Sequence, residues 1–382
     1  GVSRLWFVAG SVASLVANQL GEPVSNSANL TVLAGSPDQI FFTADFEAAS
    51  ALYMATNATA SLVQGIGDVR NPMAFAVLQD ELYFTAETGL TTGLFRYDGT
   101  STTPIGADLA DVADLVAADD GDADLTDDRL YFTAVTDATG RELYRVDDSG
   151  VPVLIEAALG VTDANPHGFY YDAALDTLFF SIETTIGSAA WVDDGTAAAA
   201  IADVDGALLN PSGHVAYAGT VFFAADNGAD GQELYRYTGA VGPAPQAVQV
   251  DDLNDTAGAS SSPVGMIVYD GSLYFAADDG EAGIELFSFT FGDAAIELVR
   301  DIRIGPQSSE PRSFVVVGTD LYLAANLGAG HELFRIRSSA SEVTLAPPGD
   351  DNDIVITLVV ESDQYFGVEV IVTDTGEIDF GS

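Results

Sequence analysis

A five-residue segment with alternating hydrophobic side chains recurs along this chain at intervals of 42 to 52 residues. Alternation with a period of two is the pattern of a β-strand whose two faces meet different surroundings. We name this strand B. Its eight copies, the last of them degenerate, begin at Ile40, Leu82, Leu130, Leu178, Val221, Leu273, Leu321 and Gln364.

A second strand, C, follows each of the first seven copies after a turn rich in Gly, Asp and Asn, such as residues 226–231 and 278–283. These residue types tolerate the positive φ that tight reversals require. A short apolar strand, D, comes next, and a polar loop that usually carries Pro leads to a fourth strand, A, of the next repeat. The sequence therefore predicts antiparallel four-stranded blades in the order A, B, C, D, at the repeat length typical of propellers.

The two ends of the chain carry complementary halves of one repeat. Residues 4–8 and 14–16 match strands C and D, and residues 356–366 match strands A and B. We predict an all-β, eight-bladed β-propeller whose last blade is shared between the N-terminus, which supplies strands C and D, and the C-terminus, which supplies strands A and B. Such sharing leaves no open edge strand. A seven-bladed ring with two dangling ends is the alternative.

The domain prediction follows from this repeat count. We expect residues 1–370 to form a single β-propeller domain. Residues 371–382 have no place among the eight blades, and we expect a C-terminal tail or an extra strand there.

The repeat unit resembles the ELWxxDGT-type repeat of secreted bacterial surface proteins. The resemblance rests on residues 142–148, which read ELYRVDD, and on residues 93–100, which read GLFRYDGT. It covers essentially the whole chain, although Trp remains only at Trp6 and Trp191 and the leading Glu in four of the eight copies. The family implies an extracellular propeller and no particular activity.

Charge narrows the classes of partner. The chain contains 58 acidic residues and twelve basic ones, all of them Arg, so its formal net charge is −46. Such a surface repels nucleic acids and favours cations and cationic partners. The chain contains no Cys, which excludes a disulfide scaffold. No apolar run is long enough for a transmembrane helix. The resemblance to secreted surface proteins implies an extracellular or cell-surface location.

The loop before Leu130 is the sharpest local signal, because it holds Asp120, Asp122 and Asp124 at alternate positions and ends near Asp128. This spacing can bend several carboxylates around a hard cation such as Ca²⁺. It is similar to the calcium loops that integrin-type propellers carry at the same A–B connection. Leu125 stands where such loops have Gly, and no closing Glu follows. We predict these four aspartates as calcium ligands, with a plain solvated loop as the alternative.

Neither the recurring glutamates nor the three histidines predict a catalytic centre. Glu142, Glu233, Glu285 and Glu332 open strand C in four copies, and a residue repeated around a ring is expected to pack or to hydrogen-bond a neighbouring turn. The three histidines fall in different repeats, at His167, His214 and His331. The sequence carries no nucleophile elbow, zinc-protease motif or phosphate loop.

These observations favour a non-enzymatic surface or matrix protein: an acidic propeller scaffold for adhesion, ligand binding or assembly, with calcium as a candidate cofactor. Its partners would be an extracellular protein, a glycan or further copies of the chain. The alternative is a polysaccharide-acting enzyme, a lyase or hydrolase with its site on the face that carries the B–C and D–A loops. That alternative rests on fold analogy.

Overall fold

The structure is a computed structural model, and its contacts divide the chain into two units. The first comprises residues 1–186 and 191–199, and the second comprises residues 187–190 and 200–382. The described residues are 3–9, 12–18, 21–33, 39–46, 49–56, 58–63, 70–122, 124–136, 138–147, 149–155, 163–203, 206–241, 244–337, 342–346, 354–360 and 366–372.

The described residues form β-strands and turns without any helix, so none of them belongs to a helix able to cross a membrane. The strands of the first half are β1 (Trp6–Ala9), β2 (Val12–Leu15), β3 (Ala28–Leu33), β4 (Gln39–Phe46), β5 (Ala49–Thr56), β6 (Thr59–Leu62), β7 (Arg70–Leu78), β8 (Glu81–Thr88), β9 (Thr91–Tyr97), β10 (Thr102–Ile105), β11 (Ala110–Ala118), β12 (Arg129–Thr136), β13 (Gly140–Val146), β14 (Val153–Leu154), β15 (His167–Asp172) and β16 (Thr177–Thr184). Those of the second half are β17 (Gly187–Asp193), β18 (Ala198–Ala200), β19 (Leu209–Tyr217), β20 (Thr220–Asp226), β21 (Gln232–Val241), β22 (Ala244–Gln249), β23 (Val264–Tyr269), β24 (Ser272–Asp278), β25 (Ile284–Thr290), β26 (Glu297–Arg300), β27 (Arg312–Val317), β28 (Asp320–Asn326), β29 (His331–Arg337), β30 (Glu342–Ala346), β31 (Ile354–Val360) and β32 (Phe366–Val372).

The first unit contains three complete four-stranded sheets, β3–β6, β7–β10 and β11–β14, each with its strands in chain order. In the second unit, strands β19–β22 pair in succession, and β23–β26 form a further sheet. All of these pairings are antiparallel. The predicted all-β architecture of repeated, four-stranded antiparallel sheets is confirmed.

The terminal strands differ from these sheets. In the first unit, β1 and β2 form a two-stranded sheet. In the second unit, β31 pairs with β30 and β32 pairs with β31, so this sheet has six strands, β27–β32. The count of eight blades and the shared last blade stay predictions. Of the expected tail, residues 371 and 372 lie in β32, and residues 373–382 lie outside the described residues.

Every A strand of the seven complete repeats is bulged. The register between strand A and strand B shifts in all seven pairs. At or near the start of each A strand stand two residues of positive φ, three positions apart: Asn26 and Asn29, Asn71 and Ala74, Asp111 and Asp114, Asn165 and Gly168, Asn210 and Gly213, Ser262 and Gly265, Glu310 and Ser313. Bulges bend a strand and increase its twist, so the repeat is preserved in backbone conformation even where its side chains diverge.

The cores lie between successive sheets and are built mostly from strands B and C, with contributions from strand A. In the first unit, Phe41 of β4 and Tyr97 of β9 meet edge-to-face with ring centroids 5.6 Å apart. In the second unit, Gly265 brings β23 close to β27, because an added Cβ would lie 2.7 Å from the Phe314 ring. Strand B is buried on both faces, as the adjacent and fully buried Phe222 and Phe223 show, so its two faces do not meet the different surroundings that alternation predicts.

Candidate functional site

The acidic loop, residues 119–128, connects β11 to β12 in the first unit. Its aspartates fold the loop by accepting hydrogen bonds from amides two positions ahead. Asp119 Oδ1 accepts from Gly121 at 2.7 Å, and Asp120 Oδ1 accepts from Asp122 at 3.0 Å. The Thr126 hydroxyl donates to Asp124 Oδ1 at 2.7 Å, and this bond lowers the pKa of Asp124. The loop is thus a series of Asx turns.

Three carboxylates of this loop converge. Oxygen atoms of Asp119, Asp120 and Asp128 all lie within 4.8 Å of one another. Asp128 is buried, with 4% of its surface exposed. Burial raises the pKa of Asp128, and the negative charges of Asp119, Asp127 and Asp120 add to this effect. Gln79, in the β7–β8 turn, opposes it by donating from Nε2 to Asp128 Oδ2 at 3.3 Å.

The convergence of these oxygens is compatible with a hard cation. Calcium binds oxygen at 2.3–2.6 Å, so two oxygens on one ion lie at most about 5 Å apart. The repulsion among the three carboxylates would be relieved by a bound cation. Of the four predicted ligands, Asp120 and Asp128 belong to this group. Asp122 and Asp124 do not, and Asp119, which the sequence prediction omitted, does.

A polar cleft of about 290 Å³ opens beside this group, and Asp128 belongs to both. The cleft lies where the A–B loops and the C–D loops of the first unit end. The sequence analysis placed the site of the enzyme alternative at the other loops, B–C and D–A. The lining residues are Thr126, Asp127, Asp128, Arg129, Arg145, Asp147, Asp176, Asp194, Gly195 and Thr196.

Arg129, the first residue of β12, is the most buried cation of the cleft, with 6% of its surface exposed. Its Nη2 pairs with Asp176, and its Nε donates to the Asp127 carbonyl at 2.6 Å. Tyr171 donates from its hydroxyl to the other carboxylate oxygen of Asp176 at 2.8 Å. The guanidinium lies directly on Gly195, where an added Cβ would come within 1.4 Å of Nη1.

A second buried network lies beside Arg129. Asp193 is fully buried, and its Oδ1 accepts from the Tyr131 hydroxyl at 2.6 Å and from Arg145 Nη1 at 3.3 Å. The Gly195 amide donates to the same oxygen at 2.8 Å. Burial raises the pKa of Tyr131, and the Asp193 charge raises it further. Asp193 therefore holds Arg145 in place, and Arg145 lines the cleft.

Sequence reasoning missed Arg129, although a signal was present. The residue before strand B is Gln39, Glu81, Thr177, Thr220, Ser272 or Asp320 in the other six complete repeats. A basic residue occurs there once. A single departure from a repeat at a fixed position is the pattern expected of a local function, whereas the Asp spacing was obscured by the abundance of acidic residues.

Three of the four recurring glutamates, Glu142, Glu233 and Glu285, have the structural role that their repetition predicted. Glu233 is fully buried, and it accepts from the Ser261 amide at 2.7 Å and from the Leu253 amide at 3.3 Å. The Ser261 hydroxyl also donates to it. Glu142 Oε1 accepts from the Asp163 amide at 2.8 Å. Each bond ties strand C to the loop that leads to the next repeat.

The histidines make separate local contacts. In the first unit, His167 Nε2 lies 3.7 Å from Glu183. In the second unit, the His214 ring stacks on Phe223 at a centroid distance of 5.2 Å, and His331 Nε2 lies 3.9 Å from Glu310. Burial lowers the pKa of His214 to about 4. None of these contacts is the arrangement of a histidine metal site.

No protein-family model matches this chain, and no curated protein matches it. Solved structures that resemble it include a prolyl endopeptidase, at 10% identity and a TM-score of 0.42 over 89% of this chain and 55% of that one. The computationally designed Ika8 protein has 11% identity and a TM-score of 0.42, over 90% and 98%. The β-propeller domain of the Trilobed protease from Pyrococcus furiosus has 12% identity and a TM-score of 0.36, over 84% and 96%. This chain thus spans about half the length of the prolyl endopeptidase, and no activity is carried over from these proteins.

Proposed function

We propose that this chain is a non-enzymatic, extracellular surface or matrix protein, an acidic propeller scaffold for adhesion, ligand binding or assembly that calcium stabilises. The observation that carries the proposal is the convergence of Asp119, Asp120 and Asp128 within 4.8 Å at one inter-strand loop. In a chain of net charge −46, cation binding at such a point lowers the repulsion among the three carboxylates.

In this proposal the repeats close into eight blades, and β1–β2 supply half of the last one. Side-chain exposure supports an incomplete blade there. Trp6 and Val8 of β1 are 57% and 63% exposed, whereas the equivalent Tyr144 and Val146 of β13 are 5% and 0% exposed. The strands that cover such positions in a complete sheet are A and B, the types that the C-terminal strands β31 and β32 carry in sequence.

Calcium dependence is the first test. We expect calcium, but not an equal ionic strength of sodium, to raise the thermal unfolding temperature relative to chelated protein. A ligand at 100 times its Kd stabilises a fold by about 2.7 kcal/mol. Asp128→Asn and Asp120→Asn are expected to reduce this calcium-induced increase. Asp122→Asn, in the same loop but outside the convergent group, is the matched control and is expected to retain it.

The measured quantity is the calcium-induced change in the unfolding temperature of each variant. A change in the stability of a variant without calcium therefore does not affect the comparison. Loss of the increase in Asp122→Asn together with its retention in Asp128→Asn would contradict the assignment of ligands. Absence of any calcium effect would remove calcium from the proposal.

Light scattering tests the scaffold role. We expect a molar mass above that of the monomer in calcium and a return toward the monomer on chelation. Turnover of a polysaccharide that a single side-chain substitution abolishes would replace the scaffold with the enzyme alternative.

A further inference from the structure

The polar cleft beside the acidic loop is built around a residue that the other repeats lack. Arg129 is buried and fixed through Nη2 and Nε, while its Nη1 has no hydrogen-bond partner among the described residues. Arg129 and Gly195, on which Nη1 lies, both line the cleft. Because Nη1 is itself buried against Gly195, Arg129 shapes the cleft wall. The partly exposed Arg145 is the guanidinium that a ligand in the cleft can reach.

The cleft combines hydrogen-bond donors and acceptors that are already held in place. Arg129 is fixed by Asp176, and Arg145 is fixed by the fully buried Asp193. Asp194 Oδ1 accepts from the Thr196 amide at 2.8 Å and from the Ala197 amide at 3.0 Å. Groups oriented in advance lose little conformational entropy when a ligand binds.

This combination matches hydroxyl groups better than it matches an ion. A sugar hydroxyl both donates and accepts, so it can use carboxylates and guanidinium groups together. A basic side chain would use the carboxylates alone and would face the like charges of Arg129 and Arg145. An anionic sugar would meet five lining aspartates against two arginines. A volume of about 290 Å³ is at the small end of ligand sites and suits one sugar ring.

We propose that this cleft, between the β11–β12 loop and the β17–β18 turn, binds a single neutral sugar unit of a glycan. Thr126, Asp194 and Thr196 form its exposed rim, and the arginines form its inner wall. The proposal rests on the proposed function, because it names the ligand class of the scaffold.

The repeat provides a matched control for the test. Residues 98–100 form the same Asp-Gly-Thr turn after β9, where Asp98 Oδ1 accepts from the Thr100 amide at 2.8 Å and from the Ser101 amide at 2.7 Å. Asp98→Asn therefore removes the same turn charge away from the cleft. Any effect of losing the Asx turn itself is common to Asp98→Asn and Asp194→Asn.

The experiment is calorimetric titration of the full chain, in calcium, with glucose, galactose, mannose and N-acetylglucosamine, and with glucuronate as the anionic probe. We expect saturable binding of at least one neutral sugar and weaker binding of glucuronate. Asp194→Asn and Thr196→Val are expected to weaken the binding at least about tenfold. Asp98→Asn is expected to bind like the unchanged protein.

Absence of saturable binding to all four neutral sugars would overturn the proposal, and so would unchanged affinity in Asp194→Asn. A lysine-rich peptide that binds in an Asp194-dependent way, in place of the sugars, would also overturn it. The outcome is separable from the proposed function. Calcium stabilisation without sugar binding rejects only this inference, and sugar binding without any calcium effect rejects only the role of calcium.

Discussion

The sheet β7–β10 of the first unit and the sheet β23–β26 of the second stabilise the same repeat with different buried polar groups. In β7–β10, Thr85 of strand B donates to the Met73 carbonyl of strand A at 3.0 Å, and Gly93 occupies the first position of the strand C motif. In β23–β26, Ala276 replaces the threonine and Glu285 replaces the glycine.

The Thr85 hydroxyl and the Glu285 carboxylate differ in which segments they connect and in charge. Thr85 connects neighbouring strands of one sheet with a neutral hydrogen bond. Glu285 accepts from the Ser309 amide at 2.9 Å, the Ser309 hydroxyl at 2.6 Å and the Ile302 amide at 2.8 Å, so it fixes the loop that leads to the next sheet. Substitution in a repeat can thus move the polar anchor from within a sheet to the connection between sheets.

The largest effect is expected from Glu285→Ala. It removes the acceptor of the Ser309 hydroxyl and of the Ile302 amide, while the Ser309 amide keeps the Ile284 carbonyl at 3.0 Å. Each buried donor left without an acceptor costs about 1–3 kcal/mol. We expect the free energy of unfolding to fall by about 3 kcal/mol or more, as measured by denaturant titration. Glu297→Ala, an exposed glutamate on β26 of the same sheet, is the control and is expected to change stability by less than about 0.5 kcal/mol. Equal losses in the two variants would contradict the anchoring role.

The second prediction concerns pH. Burial raises the pKa of Glu233 to about 7 from its ordinary 4.5, although the Ser261 and Leu253 hydrogen bonds favour the charged form. The folded chain therefore keeps a proton that the unfolded chain loses between pH 4.5 and 7. Its stabilising contribution is complete at or below pH 4.5 and is lost as the pH rises to 7.

The measurement is the unfolding free energy of the unchanged protein minus that of Glu233→Gln across this window, which cancels the other carboxylates. We expect the difference to decline by roughly 2–3 kcal/mol with rising pH. A difference that is constant, or that rises with pH, would show that the hydrogen bonds outweigh burial.

The smallest effect is expected from Thr85→Val, which keeps the shape of the side chain and removes its hydroxyl. We expect a loss of about 1 kcal/mol in unfolding free energy, because one neutral hydrogen bond is involved. Thr91→Val, on the exposed start of β9, is the control and is expected to change little. A loss as large as that of Glu285→Ala would remove the contrast between the two sheets.

Strands B and C were predictable because their pattern is strong and repeated. Each predicted B strand from Ile40 to Leu321 lies within β4, β8, β12, β16, β20, β24 or β28. The bulges of the A strands were not predicted. Their positive-φ positions are occupied by Asn, Asp, Ser, Gly, Glu and Ala, so residue identity indicates the backbone conformation only in part.

The sequence indicated which loop carries the candidate site, but not which of its aspartates converge. The Asp spacing located the loop, yet alternation along a chain cannot tell which carboxylates a folded loop brings together. All four aspartates from Asp119 to Asp124 accept local Asx-turn hydrogen bonds, so these turns do not decide which carboxylates converge. The fold of the loop decides it, because it brings Asp128 to Asp119 and Asp120.

By itself, the sequence determined the all-β repeat, the order of strands within each complete four-stranded sheet and the acidic character of the protein, because these depend on local periodicity and composition. Tertiary structure decided which side chains are buried and paired. Whether Arg129 meets Asp176 and Gly195, residues 47 and 66 positions away, depends on the packing of successive sheets. A local sequence pattern does not indicate which distant residues come into contact.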